Sequence, residues 1–111
     1  MERIYNKLVR DRIPQIIEET GETPVTKILS DTEFKAALEQ KCYEEYQEML
    51  HASGRDRLFE LADMLEIIKQ LAQLENTTLE QLCILAEQKN AERGSFDQKI
   101  FLEKVLEIQS K

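Results

Sequence analysis

A chain of 111 residues has the size of a single domain, and its formal net charge of −7 opposes binding to duplex DNA or RNA. With three glycines, two prolines and no tryptophan, it contains few of the residues that interrupt helices. No signal peptide or apolar run of membrane-spanning length is recognisable, so we expect a cytoplasmic protein without membrane contact.

The first 30 residues predict an N-terminal element and a connection, and residues 31–111 predict a helical core, all within one domain. Pro14 favours the start of a short helix, because proline is tolerated at a first helical position. Gly21 lies just past the expected end of this helix, where glycine is common.

The helical core begins at Ser30 or Asp31, either of which can cap the first long helix. Asp56 is the expected cap of the second. The predicted bounds of the core helices are about 32–51, 56–75, 79–92 and 99–109. Helices of this length with short links are typical of an antiparallel helical bundle, so the predicted fold class is all-α.

Acidic residues lie inside the apolar face of the first core helix. At about 100° per residue, its apolar residues form one stripe. This stripe consists of Phe34, Leu38, Cys42, Tyr46 and Met49. Glu45 lies in the middle of the stripe and Glu48 lies at its edge.

The next helix repeats the pattern with a broader apolar arc. Glu60 lies within this arc, and Asp63 lies at its border. The arc covers more than half of the circumference and consists of Leu58, Leu61, Met64, Leu65, Ile67, Ile68, Leu71 and Ala72. A surface this wide needs neighbours on two sides, so we expect a homodimer at least.

The short turn at residues 52–56 would bring these two pairs of acids together. A dry cluster of four carboxylates repels itself unless it is protonated or neutralised. Mg²⁺ prefers oxygen ligands and often bridges to phosphates, so the spacing favours a magnesium site. The alternative is that the acids lie on solvated helix faces, because Glu-x-x-Glu pairs arise readily by chance among 22 acidic residues.

Three stretches of the chain carry a family resemblance. "KCYEEYQE" followed by "ELAD" resembles the Glu-x-x-Glu and Glu-x-x-Asp signature of the all-α nucleoside triphosphate pyrophosphatases, which include the MazG-type enzymes. "YNKLVRDRIPQII" and "KNAERGSF" resemble elements of the phosphoribosyl-ATP pyrophosphohydrolase-like branch of that superfamily. Together the three stretches extend the resemblance over nearly the whole chain.

The resemblance implies a MazG-like helical bundle, assembled as an oligomer, that hydrolyses a nucleotide between its α- and β-phosphates and releases pyrophosphate. It implies that Mg²⁺, or Mn²⁺, is held by Glu45, Glu48, Glu60 and Asp63. In such enzymes an acid also activates the attacking water, and we assign this role to Glu48.

Four basic residues then become candidates for holding the phosphates of the substrate. Lys89 and Arg93 share one face of the third core helix at i and i+4, and Lys7 and Arg10 lie close together in the N-terminal element. The alternative is ordinary surface charge, which at Lys89 and Arg93 would complement the helix C-terminus.

The expected function is a house-cleaning pyrophosphohydrolase that acts on canonical or damaged (d)NTPs. Hydrolysis of phosphoribosyl-ATP is the alternative within the enzyme class. The rival from another class is a non-catalytic helical dimer that binds a nucleotide or a protein partner. Release of pyrophosphate with and without Mg²⁺ separates the enzymes from the binding module.

Overall fold

The computed structural model describes residues 1–109. Within them it contains four helices and no strand, which confirms the all-α class. The helices are α1 (Ile13–Glu19), α2 (Asp31–His51), α3 (Gly54–Leu74) and α4 (Leu79–Arg93). None of these described helices is long and apolar enough to cross a bilayer. The bundle type and the assembly stay predictions.

The chain divides into two compact units, one from Met1 to Leu79 and one that begins at Glu80. The first unit contains α1, α2 and α3. The second contains nearly all of α4. This helix ends at Arg93, and the next residue, Gly94, has a left-handed conformation with φ of 83°. The expectation of a single domain over residues 1–111 stays a prediction.

α2 begins where the sequence predicts it. The Ser30 hydroxyl accepts a hydrogen bond from the backbone N–H of Glu33 at 3.2 Å. In return, the Glu33 carboxylate accepts from the backbone N–H of Ser30 at 3.1 Å. This reciprocal capping box satisfies two backbone N–H groups that have no acceptor within the helix, and it fixes the N-terminus of α2.

α3 begins two residues earlier than predicted. Its N-cap residue is Ser53, not Asp56, and the Ser53 side chain makes no capping hydrogen bond. Asp56 lies in the first turn instead, where its negative charge is favoured by the positive end of the helix dipole. Only Ala52 and Ser53 therefore separate α2 from α3.

α2 and α3 pack against each other in an antiparallel pair within the first unit. The Arg57 guanidinium donates from Nη1 to the carbonyl oxygen of Met49 at 3.0 Å and so joins the start of α3 to the end of α2. The buried apolar core is small and consists of Leu38, Met49, Ile67 and Ala72. The packing of α2 against α3 therefore determines which of their side chains are buried.

The predicted closing helix at residues 99–109 is wrong. These residues form no helix, and Lys99 has a left-handed φ of 59°. Their apolar side chains are exposed, with Phe101 at 87% and Ile108 at 96%. A helix this short is marginal in water unless its apolar face is packed, and the described part of the second unit does not bury this face.

Candidate metal centre

Glu45 is a buried acid on the face of α2 that packs against α3. Only 7% of its surface is exposed. Leu38 and Met49, which share the predicted apolar stripe with Glu45, are also buried. The prediction that an acid lies within the apolar surface of this helix is confirmed at Glu45.

Three acids from the two helices meet at this point. One carboxylate oxygen from each of Glu45, Glu60 and Asp63 lies within 4.8 Å of the other two. Glu60 and Asp63 are half-buried and lie one turn apart on α3. The antiparallel pairing of α2 and α3 thus brings three of the four predicted acids together, and we call these three the acid cluster.

The acid cluster is costly in its fully ionised form. Burial raises the pKa of Glu45 to about 7, with further contributions from a hydrogen bond with Glu60 and from the negative charges of Glu48 and Asp63. Two carboxyl groups can hydrogen-bond to each other only when one of them holds a proton. Without that proton, the Oε2 atoms of Glu45 and Glu60 are buried and have no hydrogen-bond partner.

Two cationic side chains reach the acid cluster. Arg10 donates from Nη2 to Oδ1 of Asp63 at 2.7 Å. The Nζ atom of Lys41 lies 3.7 Å from Oε1 of Glu45. Sequence reasoning missed Lys41, although its i, i+4 spacing from Glu45 is the usual one for an ion pair on a helix. Neither cation reaches the unpartnered Oε2 atoms.

The unpartnered oxygens indicate what the acid cluster is suited to bind. Carboxylate oxygens suit Mg²⁺ and Mn²⁺. Mg²⁺ binds oxygens at about 2.0–2.1 Å, so two of its ligand atoms lie at most about 4.2 Å apart. The observed spacing of up to 4.8 Å needs only small side-chain rotations to reach that value. The residues present therefore fit a hard divalent cation held by Glu45, Glu60 and Asp63.

Glu48 lies next to the acid cluster in an open groove. It is exposed and does not belong to the three acids whose oxygens converge. The groove has a volume of about 430 Å³ and is lined by Glu48, His51, Ala52, Asp56, Phe59 and Glu60. Because Glu60 belongs to both the groove and the acid cluster, the two are continuous. The roles of Glu48 as metal ligand and as base stay predictions.

Phe59 is a groove residue that sequence reasoning missed. The Arg55 guanidinium lies 5.5 Å from the centre of the Phe59 ring, within the range of a cation–π contact. The position of Phe59 directly before Glu60 was the available signal. A residue next to an inward-facing acid lies about 100° around the helix from it, which places Phe59 near the edge of the packed face.

The four predicted basic residues lie in different surroundings. Arg10 contacts the acid cluster through Asp63. The Nζ atom of Lys7 lies 5.5 Å from the centre of the Tyr5 ring, and in the described residues Lys7 makes no ion pair with the cluster. Lys89 and Arg93 lie on α4, where Lys89 lines an open pocket of the second unit. Contact of these residues with a substrate stays a prediction.

Comparison with known proteins adds one similarity. An uncharacterized protein of Mycolicibacterium smegmatis is 50% identical over 54 residues, which are 49% of this chain and 55% of that protein. This chain therefore spans about half the length of the relative that it matches. No family model and no solved structure matches the chain. The resemblance to the all-α pyrophosphatases stays a prediction.

Proposed function

We propose that this protein is a Mg²⁺-dependent pyrophosphohydrolase that cleaves a (d)NTP or a related nucleotide between the α- and β-phosphates in a house-cleaning role. The observation that carries the proposal is the convergence of Glu45, Glu60 and Asp63 with two buried oxygens that lack donors. A buried acid without a partner lowers stability, so its presence favours a ligand that satisfies it.

Each residue of the site has a role in this reaction. Glu45, Glu60 and Asp63 would hold the divalent cation, which when bound stabilises charge that develops on the phosphate oxygens. Glu48 would accept a proton from a water molecule as the water oxygen attacks the α-phosphorus. The bond from that phosphorus to the bridging oxygen then breaks, so that pyrophosphate and a nucleoside monophosphate leave. Mn²⁺ suits the same oxygen ligands.

The groove beside the acid cluster offers space for the nucleotide. Its volume of about 430 Å³ falls within the range of about 300–1,000 Å³ that is usual for small-molecule sites. Arg10 presents its guanidinium next to Asp63, where it can meet phosphate oxygens. Lys7, Lys89 and Arg93 are proposed as further phosphate contacts on the strength of the sequence resemblance.

The proposal includes a cytoplasmic homodimer formed through α3. Four apolar residues on this helix are exposed in the single chain and repeat at intervals of three and four, which is the spacing of a helix–helix seam. They are Leu58, Leu61, Leu65 and Ile68. We call this row the exposed seam, and pairing with a second copy would remove it from water.

A pyrophosphate-release assay tests the function directly. The purified protein is incubated with canonical dNTPs, oxidised dNTPs and phosphoribosyl-ATP, each in Mg²⁺, in Mn²⁺ and in EDTA. We expect metal-dependent release of pyrophosphate together with the matching monophosphate. Absence of release from every nucleotide would favour the non-catalytic binding module, and release in EDTA would contradict the metal requirement.

A further inference from the structure

Arg10 is held at the acid cluster by the N-terminal segment that precedes α1. Its bond from Nη2 to Oδ1 of Asp63 is 2.7 Å long, which is the length of a charge-assisted hydrogen bond. The two residues before it, Leu8 and Val9, are half-buried. The segment is therefore anchored by apolar packing as well as by the ion pair, and the guanidinium has a defined place.

The charge of Arg10 acts on any cation that enters the acid cluster. A guanidinium stays protonated at every pH at which proteins fold. It also neutralises part of the negative charge of Asp63, which is one of the three ligands proposed for the metal. A divalent ion in the cluster would therefore meet both a weaker ligand and a repelling positive charge a few ångströms away.

The same guanidinium has donors left for an anion. The bond to Asp63 uses one N–H of Nη2, whereas a guanidinium has five N–H donors in a plane. The Arg10 side chain is 60% exposed, which leaves room for an anion at its remaining donors. A phosphate could accept from them while the bond to Asp63 stays in place.

We propose that Arg10 makes the metal centre selective for a metal–phosphate complex over the free divalent cation. The inference rests on the proposed function and assigns the source of this preference to one residue. Without phosphate, Arg10 weakens the binding of the metal. With phosphate, its free donors strengthen the binding of the complex, so replacing Arg10 must change the two affinities in opposite directions.

Lys41 provides an internal comparison. Its Nζ lies 3.7 Å from Oε1 of Glu45, so it also opposes a divalent ion in the acid cluster. Its side chain is only 25% exposed, however, and its ammonium group lies along α2. We therefore expect Lys41→Gln to strengthen metal binding as Arg10→Gln does, but to leave phosphate binding unchanged.

The first test measures the binding of Mn²⁺ alone by calorimetry. Arg10→Gln should bind Mn²⁺ about 3- to 10-fold more tightly than the wild type, as expected from removal of one charge near a partly exposed site. Arg10→Lys keeps the positive charge at this position, and Arg12→Gln removes a positive charge two residues away. Both controls should stay within twofold of the wild type. Circular dichroism confirms that each variant is folded.

The second test replaces free Mn²⁺ with the 1:1 complex of Mn²⁺ and pyrophosphate, which carries phosphate oxygens but no base. Arg10→Gln should bind this complex about 10-fold more weakly than the wild type, and Arg10→Lys should lie between them because it keeps charge without the planar fork. Arg12→Gln should match the wild type, and Lys41→Gln should bind the complex at least as tightly as the wild type, because it removes a charge that opposes the metal and no phosphate contact.

Three results would overturn the inference. Weaker binding of free Mn²⁺ by Arg10→Gln would mean that Arg10 orients Asp63 as a ligand and does not oppose the ion. Unchanged binding of the Mn²⁺–pyrophosphate complex would remove the phosphate contact. A wild type that binds no Mn²⁺ would remove the metal centre and the proposed function with it, whereas the first two results would leave that function intact.

Discussion

The two faces of α3 depart from ordinary burial in opposite ways. On the face toward α2, Glu60 and Asp63 are carried into the neighbourhood of the buried Glu45. Along the exposed seam, apolar side chains stay in water, with Leu58 at 65% exposure. One helix thus carries two half-buried acids on its packed face and exposes apolar residues on the other face.

The two departures have different energetic consequences. A buried polar group without a partner costs about 1–3 kcal/mol, and more when it is charged. An exposed leucine, by comparison, loses almost nothing relative to the unfolded chain, in which it is also exposed. The acid cluster therefore opposes folding of the single chain, whereas the exposed seam merely contributes little to it. These two departures are the reason for proposing two partners of different chemistry, a divalent cation and a second copy.

Neutralising the centre of the acid cluster should give the largest effect. In Glu45→Gln, the proposed metal loses a charged ligand, and we expect pyrophosphate release to fall by about 1,000-fold, since a metal ion supplies several kcal/mol of transition-state stabilisation. The metal-free variant should at the same time unfold at a higher temperature, because a repelling charge is gone. Assays of pyrophosphate release and thermal unfolding measure the two effects.

A matched control is Glu39→Gln, which removes an exposed acid from the same helix. It should change neither activity nor stability appreciably. If Glu45→Gln kept wild-type turnover, the acid cluster would not be the catalytic centre. If it lost activity and stability together, Glu45 would be a structural residue with a favourable partner.

The exposed seam should control assembly and leave folding intact. In Leu65→Glu, each subunit places a charge in the seam, and a two-fold interface contains the change twice. If each copy loses about 1.5 kcal/mol of stabilisation from apolar burial, the dimer dissociation constant rises about 100-fold. Sedimentation velocity over a range of concentrations measures this shift.

Gln73→Glu is the control for this change, because it adds the same charge at an exposed position on the solvated side of α3. Its dissociation constant should equal that of the wild type. A wild type that sediments as a monomer at every concentration would contradict the homodimer. Unfolding of Leu65→Glu at low concentration would show that the exposed seam is needed within one chain.

The features of this molecule that depend on neighbouring residues could be predicted from its sequence. The capping of α2 by Ser30 depends on residues three apart, and the burial of Glu45 depends on the angle between neighbours on one helix. Both are fixed by backbone geometry over a few residues. Prediction was correct for these features because no distant contact competes with them.

Features that depend on distant residues could not be predicted. Arg10 and Asp63 are 53 residues apart in the chain, and nothing in either local pattern links them. Formation of the helix expected at residues 99–109 depends on a packing surface, which the local sequence cannot reveal. Asp56 was expected to cap α3, but the helix begins at Gly54 after Ser53, and Asp56 lies in its first turn.

The pH dependence of stability separates the acid cluster from the rest of the chain. The pKa of Glu45 is raised to about 7 from an ordinary value of 4.5, so between these values the folded state holds a proton that the unfolded state has released. The stabilisation of the folded state by this proton is fully present below about pH 4.5 and is lost as the pH rises through about 7.

In the absence of metal, the contribution of Glu45 amounts to about 3 kcal/mol of unfolding free energy. The difference between wild type and Glu45→Gln isolates the acid cluster, because acids outside the cluster contribute to both proteins alike. Urea unfolding between pH 4.5 and 8 should show the wild type losing stability relative to the variant as the pH rises. A difference that stays constant over this range would mean that Glu45 keeps an ordinary pKa.

The smallest effect concerns a residue that stabilises α2 from outside the acid cluster. Ser30→Ala removes the side-chain half of the capping box and should lower the unfolding free energy by about 1 kcal/mol. Ser53→Ala is its matched control, because Ser53 occupies the same position at α3 without a capping hydrogen bond, and its effect should be close to zero. Urea unfolding gives both values, and calorimetry should find wild-type Mn²⁺ affinity in each. Weakened Mn²⁺ binding in Ser30→Ala would show that metal binding at the acid cluster depends on the stability of α2. A loss of function in Glu45→Gln could then no longer be attributed to the carboxylate alone.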